Sequence, residues 1–468
     1  MIKFILIAII LILVSVKSAF AITDPRSVPN NKIGIGILSP EAEIEEVAAM
    51  VNAKGEWGWV LVIIKKSERD FSSWQNILNM LTKNHLIPII RIATDPDSQG
   101  NWQKPTDEDA QSWADFLSKL YFPTKNRYIQ IYNEVNRASE WGGSVDAAAY
   151  TKELAKTIQA LKAKNDNFFV LPSPLDLSLA SGNKSLDAAV FYQTMVQTVP
   201  EIFTEIDGWA SHSYPNPNFA SSPQNLGRFG IDGYKWELSQ ISPHLKGKTL
   251  PVFITETGWK RKTTNSTGLD EEQIADFYKE AFEKVWVDEN IVAVTPFIFN
   301  YQQEEFSPFS FKTDLQDKKY FDYYYTIQNL PKIKGEPVRE ELLSPFTITT
   351  NHPPPLSDLI IKNQDEEIKI SFKNTGNFIW NTQDLKIDLK GANLQIGTIN
   401  WKKEEIYPGD ETGITFKVKS DTEGLIPLVI RLYRNQKIIS QSEVNLNSTN
   451  LMSYLIINVK GLINSPSH

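Results

Sequence analysis

The sequence predicts an α/β fold: a (β/α)8 TIM barrel followed by a C-terminal immunoglobulin-like β-sandwich. Three observations predict it. From about residue 30 to residue 330, eight apolar strand-like runs alternate with amphipathic helical stretches. After Pro331 the pattern changes to period-two alternation with no helix-period stretch. Two of the eight runs, Ile129-Gln130-Ile131-Tyr132-Asn133-Glu134 and Val252-Phe253-Ile254-Thr255-Glu256, end abruptly in a glutamate. A core strand has no structural need of a carboxylate, and burying one unpaired is costly.

The elements follow in order. Ile33–Leu38 reads as the first strand, and Ser39-Pro40 supplies an N-cap and a first-turn proline for a helix that Gly55 can stop. Trp59–Ile64 and Ile87–Ala93 are the second and third strands. A helix through Ala110–Tyr121 follows, with Asp107, Glu108 and Asp109 in its first turn. Tyr128–Glu134 is the fourth strand, Ala147–Ala163 an amphipathic helix and Phe168–Pro172 the fifth strand. Ile206–His212, Pro251–Glu256 and Ile291–Phe299 complete the eight. A doubly wound open sheet is the rival, but it places a Gly-rich turn after its first strand. Gly34 and Gly36 lie inside that strand instead.

The predicted barrel spans residues 28–335, a Pro-rich linker 336–358 and the sandwich 359–468. In the sandwich, Ile368–Phe372, Ile414–Val418 and Leu428–Tyr433 alternate as strands between turns such as Asn374-Thr375-Gly376-Asn377 and Pro408-Gly409-Asp410. The apolar tail Leu451–Ile463 reads as a last strand. Ahead of the barrel, Lys3, the apolar run Phe4–Val16 and Ala19-Phe20-Ala21 describe a signal peptide over residues 1–21, cleaved after Ala21. The run is shorter than the roughly 20 residues that a membrane span needs. The expected location is secreted or cell surface, with an uncleaved anchor as the alternative.

A formal net charge of −8 argues against a general nucleic-acid binder. With no cysteine the chain can form no disulfide, so stability must come from core size. The five histidines are scattered without metal-ligand spacing, so no metal and no cofactor is expected.

The carboxyl ends of barrel strands converge on one mouth, which brings Glu134 and Glu256 together although they are 122 positions apart (256 − 134). Two facing carboxylates suit general acid/base and nucleophilic work on a glycosidic bond. The acid of such a pair must hold a proton near neutral pH, which burial and the neighbouring anion favour. Arg91 closes the third strand, Asn133 precedes Glu134, and His212 and Tyr214 follow the sixth strand. An arginine and a tyrosine can orient a nucleophilic carboxylate, and an asparagine can bond a sugar 2-hydroxyl.

Asn133-Glu134, His212-x-Tyr214 and Thr255-Glu256-Thr257-Gly258-Trp259, in this order and on these strands, resemble glycoside hydrolase clan A, the retaining (β/α)8 enzymes that include cellulases, mannanases, xylanases and β-glycosidases. The resemblance covers roughly residues 30–330. It implies Glu134 as acid/base and Glu256 as nucleophile. Arg91, Asn133, His212 and Tyr214 would support them. Trp259 and Phe299 are expected to contact substrate. Val135 stands where proline often follows Asn-Glu, and Phe297, Phe299, Asn300 and Tyr301 stand where the family often has a tryptophan floor. Trp102 and Trp141 are further candidate sugar platforms, and Glu140 reads as a solvated loop charge.

The turn Asn374-Thr375-Gly376-Asn377 ahead of Trp380 resembles immunoglobulin-like domains such as the central domain of an autophagy receptor. Trp380 is expected in the core, while Trp401, Tyr407 and Tyr433 could form a binding face. The expected partner is an oligo- or polysaccharide, with glycan or cell-surface contact through the sandwich, and the expected state is a monomer. The rival class is a non-catalytic glycan-binding protein on a degenerate barrel.

Overall fold

The computed structural model describes residues 22–455 except 53–54, 315–317 and 353–355. The expected signal peptide, the triple proline and the end of the tail lie outside these residues. No helix among the described residues is long and apolar enough to cross a membrane. The chain divides into two compact units between Val338 and Arg339.

The first unit is a closed (β/α)8 barrel. Its strands are β1 (Gly34–Gly36), β2 (Gly58–Lys65), β3 (Leu86–Ala93), β4 (Arg127–Ile131), β5 (Phe168–Leu171), β6 (Trp209–His212), β7 (Val252–Glu256) and β8 (Ile291–Val294). β1 to β5 pair in order and in parallel, as do β6 to β8. The Ile33–Val294 bridge closes β8 onto β1, and the Asp207 amide bonded to the Val170 carbonyl (2.9 Å) joins the β5 and β6 segments. The principal helices are α1 (Pro40–Val51), α2 (Phe71–Lys83), α3 (Asp109–Leu117), α4 (Ala147–Lys164), α5 (Ala188–Thr198), α6 (Gly233–Ile241), α7 (Glu271–Glu280) and α8 (Asp322–Asn329).

Period-two alternation sorts the strand residues between two cores. One set fills the barrel with Trp59, Leu61, Ile87, Ile89, Tyr128, Phe169, Leu171, Ala210 and Phe253. The other set, including Val60, Val62, Ile90, Ile129 and Val170, packs against the helices. Fully burying one such side chain contributes roughly 1.5–3 kcal/mol, so a core of this size stands in for the missing disulfides. Two helices stop four residues short of expectation. α1 ends at Val51, where Asn52 turns its amide onto the Asn84 and His85 carbonyls (2.9 and 3.0 Å). α3 ends at Leu117.

Glu43 of α1 is 4% exposed, and one of its carboxyl oxygens has no partner among the described residues. Burial pushes its pKa up to about 7 against the pull of Asn300, the Ser39 backbone and Lys312. An acid whose folded pKa is raised contributes stability below its unfolded pKa and loses it as pH rises through the folded value. Glu43→Gln should therefore raise the unfolding midpoint at pH 8, by about 1–3 kcal/mol of stability, and leave it nearly unchanged at about pH 3.5, below the unfolded pKa. Equal midpoints at both pH values would contradict this.

The second unit is a β-sandwich. One sheet orders strands 359–361, 437–449, 424–434 and 385–391; the other orders 394–396, 411–420, 366–373 and 347–350. Thr347–Thr350, inside the stretch expected as a linker, is therefore a sandwich strand, pairing with Ile368–Ser371. The nearby prolines flank this strand and remove none of its ladder donors. Residues 451–455 are helical, so the described part of the tail is not the expected strand; the last strand ends at Thr449. Trp380 is fully buried, as its pattern predicted. The buried Asn374 amide bonds the Phe378 and Ile406 carbonyls (2.7 and 3.0 Å), which fixes the turn ahead of it. Trp401 and Tyr433 lie on strands of different sheets.

Candidate active site

The same alternation that builds the lower barrel core carries polar residues to its upper end. On β3, Arg91 follows Ile87 and Ile89 on the inward face and pairs in register with Gln130 of β4. On β6, His212 follows Ala210. Strict alternation would set Thr255 of β7 opposite it, but a register shift between Ser211 and His212 pairs His212 with Glu256 instead. Beyond β4 the chain turns sharply: Tyr132 (φ 66°) and Glu134 (φ 34°) both occupy the left-handed region. Non-glycine residues in such conformations persist where surrounding structure holds them, and they concentrate at functional sites.

These turns bring together Arg91, Asn133, Glu134, His212, Tyr214 and Glu256. Donor atoms of Glu134, His212 and Glu256 all lie within 4.8 Å of one another. The two carboxylates share His212, whose Nδ1 is 2.9 Å from Glu134 and 3.7 Å from Glu256, but otherwise have different partners. Arg91 Nη1 donates to Glu256 Oε1 (3.2 Å) and the Tyr214 hydroxyl to Glu256 Oε2 (3.1 Å). Glu134 Oε1 lies 2.9 Å from His212 Nδ1, and Arg137 Nε is 3.4 Å from Glu134 Oε2. Arg137 also pairs with Asp176, and Asn136 anchors that loop through Asp176 N (3.0 Å) and the Asp176 carbonyl (2.9 Å). Sequence reasoning missed Arg137 and Asp176, whose loops show no pattern before folding.

Electrostatics distinguish the groups further. Burial acts to raise the Glu134 pKa, but the His212 hydrogen bond and charge, with Arg137 and Arg91, leave it below the usual carboxylate value. That reverses the direction expected from burial and a neighbouring anion alone. His212 moves the opposite way: burial lowers its pKa, but Glu256 and Glu134 outweigh that and raise it. The resting pair thus keeps its proton on the imidazole, one hydrogen bond from Glu134. Burial and the two carboxylates hold the Tyr214 phenol well above its ordinary value, so it stays a neutral donor.

The Glu134–His212–Glu256 cluster also has the donor types of a metal site. Arg91 and Arg137 each lie within 3.4 Å of one of its carboxylates, however, and their fixed positive charges oppose a cation there.

Two expected substrate contacts lie elsewhere. Trp259 is 2% exposed, donates Nε1 to the Ser221 carbonyl (2.8 Å) and packs edge-on against Tyr278 at 4.9 Å. Gly258 (φ 141°) turns it into that packing, and a Cβ there would meet the Tyr278 hydroxyl at 2.8 Å. Phe299 is fully buried against Tyr320 and Tyr324, because its amide bonds the Gly36 carbonyl (2.9 Å) and pulls the segment inward. Phe297 and Tyr301 are the half-exposed rings of that segment, both edge-on to Phe306 at 5.3 Å. Trp141 is buried between Tyr132 and Tyr150, whereas Trp102 stays half-exposed.

No protein-family model matches the chain, and no curated protein matches it in sequence. Among solved structures it is similar to a GH128 (subgroup II) endo-β-1,3-glucanase from Sorangium cellulosum, at 11% identity over 64% of this chain and 98% of that one, with a TM-score of 0.41. It is similar to a family 39 glycoside hydrolase from the gut symbiont Bacteroides cellulosilyticus WH2, at 12% identity over 85% and 82%, with a TM-score of 0.45. It is also similar to endo-glycoceramidase II from Rhodococcus sp., at 11% identity over 86% and 100%, with a TM-score of 0.43. At these values none of them carries an assignment for this chain.

Proposed function

We propose that the barrel is a retaining glycoside hydrolase that cleaves a β-linked glycan by double displacement. The observation that carries this reading is the pair Glu134 and Glu256, with one oxygen of each within 4.8 Å of the other's at the barrel mouth, Arg91 and Tyr214 on Glu256 and His212 bonded to Glu134. Retaining enzymes hold their carboxyl groups about 5–5.5 Å apart, whereas inverting ones need about 6.5–9.5 Å to admit a water.

In the first step a Glu256 oxygen attacks the anomeric carbon while Glu134 protonates the departing oxygen, giving a glycosyl-enzyme and a free alcohol. Arg91 and Tyr214 each hold one Glu256 oxygen and so aim the carboxylate. His212 supplies Glu134 with the proton: as Glu256 loses its charge on bonding to carbon, the imidazolium loses its strongest support and yields Nδ1–H. In the second step Glu134 takes a proton from water, the resulting hydroxide attacks the anomeric carbon, and Glu256 leaves. Secretion or display at the cell surface, a monomeric state and glycan contact through the sandwich complete the proposal.

A panel of β-glucans, mannans, xylans and aryl β-glycosides tests it by proton NMR. The anomer released first should be β. Early release of the α-anomer, or no turnover across the panel at high enzyme concentration, would sink the retaining reading.

A further inference from the structure

Glu140 is not a solvated loop charge. Its turn (138–142) is stapled to the segment that carries Trp102: the Trp102 amide bonds the Ser139 carbonyl and the Gly142 amide bonds the Trp102 carbonyl, both at 2.7 Å. This holds the Glu140 carboxyl in a small pocket with Arg91, Thr94, Trp102, Gln103, Tyr132 and Asn133. Asn133 lies between two partners there. Its Oδ1 accepts from Arg91 Nη1 (2.9 Å), and its side chain lines the same pocket as Glu140, whose pKa it acts to lower. Arg91 Nη1 also reaches Glu256, so hydrogen bonds run Asn133–Arg91–Glu256, with Glu140 beside Asn133 in the pocket.

We propose that Glu140 is a positioning residue: its carboxylate accepts from the Asn133 amide, fixes that amide against Arg91, and so sets the hydrogen bond that Asn133 offers the sugar hydroxyl beside the anomeric carbon. The proposal rests on the glycosidase reading for the identity of that hydroxyl. An ionised carboxylate only accepts, so it holds the amide N–H2 toward itself; once protonated it becomes a donor as well, and the amide is then held only through Oδ1 by Arg91. The charged groups facing it are Arg91 from β3, Glu134 and Arg137 from its own loop, and Glu256 from β7. The 94–103 segment contributes the neutral Thr94, Trp102 and Gln103. Burial pushes the Glu140 pKa up to about 7, with Glu134 and Glu256 adding to it and Arg91 and Asn133 opposing. The hold on the Asn133 N–H2 therefore weakens as pH falls through neutrality, while Arg91 keeps its bond to Oδ1. The site also favours a sugar with a free hydroxyl at that carbon over one with an anionic substituent, which would meet a carboxylate.

Two readouts test this. In wild type, the Asn133 side-chain N–H2 signals, followed by nitrogen-15 NMR, should titrate with a midpoint near pH 7 and should not titrate in Glu140→Gln. Glu140→Ala should lower kcat/KM roughly tenfold on an aryl glycoside with its 2-hydroxyl, and less than about threefold on the 2-deoxy analogue. Asn133 signals that stay fixed between about pH 5.5 and 8.5 would overturn the proposal, as would equal losses on both substrates. If Glu140→Ala fails to fold, the Glu140→Gln titration decides alone. A wild-type chain with no turnover would remove the glycosidase reading, and the amide titration would still decide the role of Glu140.

Discussion

Glu256→Ala should abolish turnover, lowering kcat on an aryl β-glycoside by at least about 10⁴-fold. The reason is geometric as well as chemical. Glu256 is the carboxylate held by Arg91 at 3.2 Å and by the neutral Tyr214 hydroxyl at 3.1 Å, one on each oxygen, whereas Glu134 is paired with His212, the group that can pass it a proton. Removing it leaves a gap opposite the anomeric carbon with Arg91 still beside it, a place that suits a small anion. Azide should therefore restore activity and yield the α-glycosyl azide from a β-glycoside, because one displacement replaces two. Full activity in the variant, or rescue that gives the β-azide, would remove Glu256 from the role of nucleophile. Glu256→Gln separates charge from shape: it keeps the side-chain volume, so its loss of rate cannot be assigned to a cavity.

The residues that sequence reasoning located share one property: they lie at or just beyond the carboxyl ends of strands, although β4 itself stops at Ile131 and a left-handed turn, not the expected strand, delivers Glu134. A barrel strand must pair with both neighbours, so an apolar run fixes its position, and whatever polar residue closes the run arrives at the mouth. Arg91, Glu134, His212 and Glu256 were legible for this reason, with Asn133 and Tyr214 beside them. The loop residues were not. Glu140 owes its burial to hydrogen bonds with a segment some forty positions earlier, and Arg137 meets Asp176 across two βα loops. Neither loop has a periodicity that announces such contacts. The aromatic errors have another cause. Trp259 and Phe299 lie near strand ends, but a ring there can face the cleft or the helices, and the backbone bonds of the next few residues decide which. The direction of the Glu134 pKa shift was likewise hidden, because it depends on His212 and Arg137 lying within hydrogen-bond and ion-pair reach.

Glu134→Ala should show an effect that depends on the leaving group. An unactivated glycan needs its departing oxygen protonated, so its hydrolysis should fall by about 10²–10⁴-fold, the usual contribution of general acid/base catalysis. A 2,4-dinitrophenyl glycoside leaves as a stable anion, so formation of its glycosyl-enzyme should be nearly unchanged. Deglycosylation then lacks its base, and the intermediate should accumulate as a burst of released phenol. Azide, which needs no base, should relieve that block and give the β-glycosyl azide, the opposite anomer to that from the Glu256 variant. The pH profile supplies an independent check. In wild type the proton resides on the His212–Glu134 pair, with the His212 pKa raised by Glu256 and Glu134, so activity on poor leaving groups should fall as pH rises through that value. The same limb should vanish in Glu134→Ala with the dinitrophenyl substrate, since no proton is then required in the first step. Equal losses on good and poor leaving groups would place Glu134 outside acid/base catalysis, and an unchanged alkaline limb would take His212 out of the proton path.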